Sequence, residues 1–306
     1  MDAIVNRLKK NYDRIAHWSQ RNHVEAFRIY DRDIPEYPFI LDLYKDIGVI
    51  YDKSNPFIAR DKEHFAKFQT AVKKLWPNWK HTFVKQRRRQ EGQDQYERLD
   101  QKEFKSVVSE GKALFHVNLS DYVDTGLFLD HRSLRYKVFK TSKLKHVLNL
   151  FCYTGSFSVQ AALGGGKTTS IDMSKTYIEW AQENFKLNQI PLSEHTFHIA
   201  NVLDILPTLP GQYDLIILDP PTFSNSKKMI DSFEVERDQD QLIDACMKVL
   251  KKNGILYFSC NKRTFKISPN IMEKYQVKNI TKDTIPIDFH DQKIHHCFEI
   301  VFKSFG

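Results

Sequence analysis

The C-terminal two thirds of the chain alternate between short apolar runs and longer segments in which apolar residues recur every three or four positions. The runs at residues 147–150, 168–171, 214–218 and 255–259 predict strands, and the segments between them predict helices. Strands and helices in alternation are typical of a parallel sheet with helices on both faces. We therefore predict an α/β domain over residues 119–306.

The ends of three elements are also predicted. A helix over residues 174–188 begins at Ser174, a favoured N-cap residue. A second helix over residues 238–252 ends at Gly254. The apolar residues of 294–302 predict a late strand that pairs antiparallel at the edge of the sheet.

The N-terminal third has a different pattern. An apolar stripe from Ile4 to Ile15 at helical spacing predicts a helix over residues 1–21. After it, short strand-like runs flank one helical segment at residues 61–75, in the order strand, strand, helix, strand, strand. This order predicts a small α+β domain over residues 22–118.

The charge balance indicates a polyanionic partner. The 306 residues carry a formal net charge of +8 and a pI near 9.1. A basic surface attracts nucleic acid, although a well-solvated surface has the same composition. The small domain contains a basic connection with Arg87, Arg88 and Arg89, which we predict to contact RNA phosphates.

The cysteines and the absence of long apolar runs bear on location and on metals. The four cysteines are scattered without metal-ligand spacing: Cys152, Cys246, Cys260 and Cys297. We predict a reduced, cytoplasmic protein without a metal. No apolar run approaches the length that crosses a bilayer, and the N-terminus does not have the pattern of a signal peptide, so we expect no membrane association.

The segment HVLNLFCYTG at residues 146–155 predicts a small-molecule site. It reads as a strand, a loop and a glycine, followed by a helix. The loop leaves the carboxyl end of the strand, and the following helix offers free backbone N–H groups. Gly155 allows the backbone to approach a ligand closely.

Acidic and amide residues follow the next two strands. Asp172, about twenty residues after the glycine loop, is placed to accept both ribose hydroxyls of a nucleotide-like cofactor. Its alternative role is in capping the helix that begins at Ser174. Asn201 and the N–H of Val202 are candidates to bind an adenine ring, with an ordinary turn as the alternative.

The segment DPPTF at residues 219–223 follows the fourth strand. Pro220 and Pro221 can continue neither a helix nor a sheet ladder, so they stiffen the loop. Phe223 is then free to stack on a flat base. An acid or Asn before Pro-Pro-aromatic is the loop that methyltransferases use beside a planar nitrogen target, and a rigid surface turn is the alternative.

Several motifs together resemble one family. They are DTGLFLDHR at 124–132, LNLFCYTGS at 148–156, DPPTFSNSKK at 219–228, FSCNKRTF at 258–265 and IHHCF at 294–298. The chain resembles the class I S-adenosylmethionine-dependent methyltransferases of 23S ribosomal RNA. Specifically, it is similar to the C-terminal, guanine-N7-methylating half of the bifunctional bacterial large-subunit enzyme RlmKL, over nearly its whole length.

The resemblance implies a Rossmann-like, seven-stranded, mostly parallel sheet preceded by a small α+β domain, with S-adenosyl-L-methionine as cofactor. It implies that the following residues bind that cofactor: Asp130, Arg132, Asn149, Phe151, Tyr153, Thr154, Gly155, Asp172, Met173, Asn201, Val202 and Asp219. It also implies catalytic residues that frame the target base: Asp219, Pro220, Pro221 and Phe223.

The implied substrate is 23S ribosomal RNA or a large-subunit precursor. Beside the three arginines of the small domain, we expect further side chains to hold RNA phosphates: Lys227, Lys228, Arg237, Lys262 and Arg263. The family usually has Asp at the position of Asn201 and Asn at that of Cys260. We expect the fused RNA-binding and guanine-N2 halves of the bifunctional enzyme to be absent, so that a separate protein supplies the guanine-N2 activity.

Two alternatives stay open at the level of the sequence. In a ribosomal RNA cytosine-C5 methyltransferase, Cys260 would be the nucleophile that attacks the base. In a non-catalytic RNA-binding assembly factor, the fold would be kept and the cofactor loops would have lost their role.

Overall fold

A computed structural model describes residues 2–54, 59–86, 104–120, 124–224 and 233–303. The chain divides into two units. The first consists of Met1–Leu129 and Ile287–Asp291, and the second of Asp130–Pro286 and Gln292–Gly306. The structure places residues 119–129 in the first unit, where the hydroxyls of Thr125 and Tyr44 lie 2.8 Å apart. The division into separate domains at residues 1–21, 22–118 and 119–306 stays a prediction.

The first unit is an α+β structure with two sheets. Its helices and strands are α1 (Asp2–Arg21), β1 (Ala26–Asp31), β2 (Phe39–Tyr44), β3 (Ile47–Asp52), α2 (Ala59–Leu75), β4 (His81–Gln86), β5 (Lys105–Glu110) and β6 (Ala113–Asn118). Strands β1 to β4 pair in chain order, and only β3 and β4 are parallel, since α2 connects them as a crossover. Strands β5 and β6 form a separate hairpin. The predicted order of two strands, a helix and two strands is wrong, because three of the described strands precede α2 and three follow it.

The core of this unit lies between the helices and the four-stranded sheet. Ile4, Leu8 and Ile15 of α1 are buried, as the stripe predicts, in one apolar cluster with Phe68 of α2 and Leu41 of β2. Such a stripe folds as a helix because burial of one face offsets the entropy lost on ordering it.

A buried ion-pair network ties residues 287–291 to the first unit. The Arg28 guanidinium of β1 donates to Asp42 (2.8 Å) and Asp31 (2.9 Å). Its backbone N–H donates to Asp288 (2.8 Å), and the guanidinium lies 4.4 Å from the ring centroid of Phe289. Since Asp42 is buried, its charge depends on this one arginine.

We expect Arg28→Met to lower the free energy of unfolding by about 3–5 kcal/mol, because the change leaves buried carboxylates without their cation. Urea denaturation followed by tryptophan fluorescence measures it, since three of the four tryptophans (Trp18, Trp76 and Trp79) lie in this unit. The control is Lys9→Met, which removes an exposed pair with Asp13 and costs under about 1 kcal/mol. Equal small losses in both variants would contradict the role of the network.

The second unit is an α/β sandwich around one sheet. Its helices and strands are α3 (Arg132–Thr141), β7 (His146–Leu150), α4 (Ser156–Leu163), β8 (Lys167–Asp172), α5 (Lys175–Leu187), β9 (Thr196–Ile199), α6 (Val202–Ile205), β10 (Tyr213–Leu218), β11 (Phe223–Ser224), β12 (Phe233–Glu234), α7 (Val235–Val249), β13 (Leu250–Cys260), α8 (Pro269–Lys274), β14 (Tyr275–Asn279), α9 (Thr281–Thr284) and β15 (His296–Phe302). The sheet has the strand order β14-β15-β13-β10-β7-β8-β9. Strand β15 runs in the direction opposite to that of the other six strands, which are parallel to one another. The predicted seven-stranded, mostly parallel sheet is confirmed.

The sheet corrects two predictions. Strand β15 is antiparallel as predicted, but it lies between β13 and β14 and not at the edge. The edge strand β14 was not predicted, since its sequence YQVKN is polar and its middle residues are mostly exposed. Helix α7 ends at Val249, not at Gly254, because the chain enters β13 at Leu250 and Gly254 lies inside that strand.

The N-cap prediction for α5 is confirmed, since the Ser174 side chain accepts a hydrogen bond from the N–H of Tyr177 (3.3 Å). Within the part of the chain that the structure describes, no helix has the length and apolar character needed to span a bilayer.

Candidate active site

The candidate site lies where the order of the parallel strands reverses. From β7 the chain continues to β8 and β9 on one side, whereas β10 lies on the other side of β7 and leads to β13. Ligands of open α/β sheets bind outside the carboxyl ends of the strands at such a switch point. Leu150 pairs with Leu218 and with Ile171, so Phe151, Asp219 and Asp172 all begin their loops at the same edge.

The loop after β7 has an unusual backbone. Phe151 (φ 55°), Tyr153 (φ 50°) and Gly155 (φ 73°) are left-handed, which is costly for the two aromatic residues. The N–H of Tyr153 donates to the Asp172 carboxylate (2.9 Å), and this bond holds the loop in place. A Cβ at Gly155 would lie 2.7 Å from the Cβ of Ala181 in α5, so only glycine allows this approach.

Asp172 organises the loops after β7 and β8. One carboxylate oxygen accepts the N–H of Tyr153, and the other accepts the N–H of Ser174 (both 2.9 Å). Burial raises the pKa of Asp172, and these backbone bonds oppose the rise. A carboxylate has further acceptor positions, so two ribose hydroxyls can be added beside these bonds. The next residue, Met173, is partly exposed at the same edge.

Two predicted cofactor residues are buried. The Asn149 amide donates to the hydroxyl of Ser158 (2.9 Å), which in turn bonds to Ser170 (2.7 Å). The Thr154 side chain is fully buried, and the backbone carbonyl of Thr154 accepts a hydrogen bond from the Asn184 side-chain amide (2.9 Å). The side chains of Asn149 and Thr154 therefore shape the loop from beneath, and a ligand would meet their backbone.

Asn201 lies in a turn, which was the predicted alternative to adenine binding. It is the N-cap of α6, and its side-chain oxygen accepts from the N–H of Leu203 (3.2 Å), while its amide group donates to Asp204 (3.1 Å). Val202 is buried at the start of the same helix. The contact of Asn201 with adenine stays a prediction, since an amide oxygen has two acceptor positions.

Charged side chains meet around Asp219. The Nε2 atom of His131 lies 3.3 Å from one carboxylate oxygen of Asp219, and the Ser259 hydroxyl donates to the other. Leu218 pairs with Phe258, which places Asp219 beside Ser259 at the ends of neighbouring strands. His131 is 5% exposed, whereas the Asp219 side chain is 25% exposed, so the carboxylate can still reach a ligand.

His295 forms a second layer behind His131. The two imidazole rings stack with centroids 4.7 Å apart. Nδ1 of His295 lies 3.1 Å from an oxygen of Asp130, and Nε2 lies 2.9 Å from the hydroxyl of Thr284. The antiparallel course of β15 explains its position, because the start of that strand lies at the same edge as the ends of β10 and β13. We name Asp130, His131, Asp219, Ser259 and His295 the Asp219 cluster.

The protonation of this cluster follows from its contacts. Burial by itself would lower the pKa of His131, but Asp219 and Asp130 together raise it to about 9. Burial would raise the pKa of Asp219, but His131 outweighs that effect and lowers it. Burial lowers the pKa of His295, so at neutral pH the neutral ring donates its Nδ1–H to Asp130. At pH 7 the cluster therefore contains an imidazolium paired with an ionised Asp219.

Among the described residues, none hydrogen-bonds to Nδ1 of His131, which is buried. An unpaired buried donor costs about 1–3 kcal/mol. Ligand atoms of Asp130, His131 and His295 lie within 4.8 Å of one another, which is a metal-like distance. Nε2 of His131 faces Asp219 at 3.3 Å, so metal ligation through that atom would compete with this ion pair, because metals require a deprotonated nitrogen.

The rigid loop after β10 continues from Asp219. Pro220 is buried and Pro221 is exposed. The ring of Phe223 in β11 is 56% exposed, although β11 pairs with β12. An exposed aromatic ring a few residues from an ionised carboxylate provides a flat surface for a base.

Sequence reasoning did not identify His131, Ser259 and His295. His131 stands between Asp130 and Arg132, two residues that the resemblance implied, and this adjacency was the available signal. His295 stands in the motif IHHCF at 294–298, which carries the resemblance, but no role was predicted for it. Arg132 is buried at the start of α3.

The predicted RNA-binding residues are only partly described. Arg87, Arg88, Arg89, Lys227 and Lys228 lie outside the described residues. Arg237 pairs with Asp238 (2.7 Å), and Lys262 pairs with Glu234 (3.2 Å) and with Glu236. The Arg263 carbonyl accepts from Nε2 of His296 (3.2 Å). Contact of these side chains with phosphates stays a prediction, and for Arg237 and Lys262 it competes with carboxylates.

This strand order, with a cofactor-type loop at the switch point, is the arrangement of the class I methyltransferase fold. Residues 60–289 match the S-adenosylmethionine-dependent methyltransferase family, and the chain belongs to that family. This membership confirms the predicted S-adenosylmethionine-dependent methyltransferase class and the predicted cofactor, S-adenosylmethionine. The crystal structure of SMU.776 complexed with SAH has the same fold, with a TM-score of 0.78 at 24% identity over 98% of this chain and 81% of that one.

The curated relatives confirm the resemblance to ribosomal RNA methyltransferases. The chain is 43% identical to ribosomal RNA large subunit methyltransferase K/L of Legionella pneumophila (strain Lens), over 99% of this chain but 44% of that protein. It is also 43% identical to ribosomal RNA large subunit methyltransferase K of Neisseria meningitidis serogroup B, over 98% of this chain and 87% of that protein. The chain thus spans less than half the length of the K/L relative and most of the K relative.

We expect Asp172→Asn to weaken binding of S-adenosylhomocysteine about 10- to 100-fold, since a charged acceptor contributes about 1.5–3 kcal/mol. Isothermal titration calorimetry of the purified variant measures the change. The matched control is Asp283→Asn, an exposed residue of α9, which should bind as the wild type does. Unchanged affinity in Asp172→Asn, with an unchanged melting temperature, would contradict the assignment.

Proposed function

We propose that the chain methylates 23S ribosomal RNA, free or in a large-subunit precursor, at N7 of a guanine. The observation that carries the chemistry is the setting of Asp219, a carboxylate whose two oxygens face His131 and Ser259. A carboxylate with a lowered pKa is a poor general base. Guanine N7 has a lone pair and no proton to lose, so its methylation requires no base.

When bound, S-adenosylmethionine supplies an electrophilic methyl group on a sulfonium. The chain contributes proximity and orientation by gripping both reactants, which accounts for much of the acceleration of such displacements. Attack by N7 leaves the purine cationic, and the negative charge of Asp219 stabilises the transition state. The exposed ring of Phe223 stacks on the base.

The macromolecular substrate is supported by two independent observations. Relatives that cover 98–99% of this chain are named for methylation of large-subunit ribosomal RNA. The net charge of +8 favours a polyanion. A ribosomal RNA substrate places the protein in the cytoplasm.

The structure does not favour the cytosine-C5 alternative. Cys260 ends β13 and is buried, and its sulfur accepts from the N–H of Lys262 (3.4 Å). Burial raises the pKa of the Cys260 thiol to about 11. A covalent mechanism needs a thiolate at neutral pH, and this environment opposes one. The organised loop of Tyr153 and Asp172 likewise disfavours a binding protein without catalysis.

We expect a strain without this gene to lose one 7-methylguanosine from 23S RNA. Wild-type protein should restore it, whereas Asp219→Ala should not, because loss of one such electrostatic contact costs about 100- to 1,000-fold in turnover. Mass mapping of modified nucleosides measures the outcome, and calorimetry with S-adenosylhomocysteine should show that the variant still binds. An unchanged nucleoside map would overturn the proposed substrate.

Cys260→Ser should retain most of the turnover on RNA, since Cys260 has no role in displacement by N7. The same mass map, together with a rate measured on transcribed 23S RNA, tests this. Abolished activity in a folded variant, or loss of 5-methylcytidine in the strain without the gene, would favour the cytosine mechanism.

A further inference from the structure

We propose that His131 is a positioning residue of the methyl transfer, which acts by fixing the carboxylate of Asp219 against the target base together with Ser259. The inference rests on the proposed function, since it assigns Asp219 to the base. It adds a residue from the turn just before α3 to a site that otherwise consists mainly of strand ends and their loops.

The two contacts of the Asp219 carboxylate support the proposal. Each oxygen of Asp219 takes one donor, Nε2–H of His131 (3.3 Å) on one side and the Ser259 hydroxyl on the other. The two donors come from different parts of the chain, the turn just before α3 and strand β13, so rotation of the carboxylate would break both bonds. The quarter of the Asp219 side chain that stays exposed is then presented in one orientation.

The ring of His131 is itself held on several sides. It stacks on His295 at 4.7 Å, and its centroid lies 5.8 Å from that of Phe157 in α4. His295 is fixed in turn by Asp130 and Thr284. The imidazole therefore has little freedom to follow a moving carboxylate.

The charges around His131 are set by four groups. Asp219 and Asp130 favour its cationic form, Arg135 of α3 opposes it, and His295 is neutral. Because Nδ1 lacks a partner among the described residues, it is the Nδ1 proton that is lost at high pH. The Nε2–H bond to Asp219 persists in the neutral ring, so the positioning role does not depend on the charge.

The first experiment observes the pair without RNA. In 15N-labelled protein, the His131 ring, assigned by its absence in His131→Gln, should titrate near pH 9 and keep the Nε2–H tautomer above that pH. In Asp219→Asn the midpoint should fall toward the ordinary value of about 6.5. A wild-type midpoint near 6.5, or an Nδ1–H tautomer at high pH, would overturn the pairing. This readout holds even if the RNA substrate is wrong.

The second experiment separates positioning from binding. His131→Phe keeps a flat ring against His295 but removes the donor, and we expect kcat to fall about 10- to 100-fold, as misplaced reacting groups do. The KM for RNA and the affinity for S-adenosylhomocysteine should stay near wild type. His131→Gln restores a donor and should recover part of kcat, while His146→Gln, an exposed histidine at the opposite end of β7, should behave as wild type.

Two outcomes would overturn the proposal. One is an unchanged kcat in a folded His131→Phe variant. The other is a loss confined to KM or to cofactor affinity, which would make His131 a binding residue. A double variant with Asp219→Asn should lose no more than Asp219→Asn alone, because both changes remove the same interaction. Absence of any RNA methylation by the wild type would instead contradict the proposed function and leave the titration result standing.

Discussion

The register of three neighbouring strands is the constraint on which the site depends. Leu218 of β10 pairs with Leu150 on one side and with Phe258 on the other. Phe151 and Asp219, the residues that follow, therefore leave the sheet side by side, and Ser259 lies next to them near the end of β13. A shift of one residue in β10 would turn its buried side chains to the opposite face. Burial of the apolar strand thus fixes the position of the polar residue that follows it. The placement of Asp219 therefore depends on packing in the core.

Two partly buried aspartates at this edge have the same side chain in different surroundings. Asp172 accepts backbone N–H bonds, and its burial raises its pKa. Asp219 faces an imidazolium, which lowers its pKa although burial by itself would raise it. The first is suited to holding a loop and neutral hydroxyls, and the second to stabilising a positive charge. Different partners for equivalent side chains, here at the ends of the two strands that flank β7, are a common way to separate binding from catalysis.

The sequence allowed prediction of features that local pattern controls. Asp172 and Asp219 were found because each follows an apolar strand, and the helix cap at Ser174 was found because capping is local. His131 and His295 were not found, since they are far apart in the chain and meet only through the antiparallel course of β15. Strand β14 was missed because an exposed edge strand needs few apolar residues. The features that were missed depend on tertiary contacts between residues far apart in the chain, and a local sequence pattern does not show such contacts.

The interior position of β15 has a consequence for the order of assembly. Strand β14 pairs with β15 alone, and β15 pairs with β13. During synthesis, β14 therefore emerges before the strand that can receive it and must wait as an unpaired segment. The same late strand delivers His295, so the core of parallel strands can form well before the charged centre is complete. In a nascent chain, the parallel strands would form a sheet whose site lacks His295 until β15 inserts between β13 and β14. This insertion is a non-local step of the kind that slows folding.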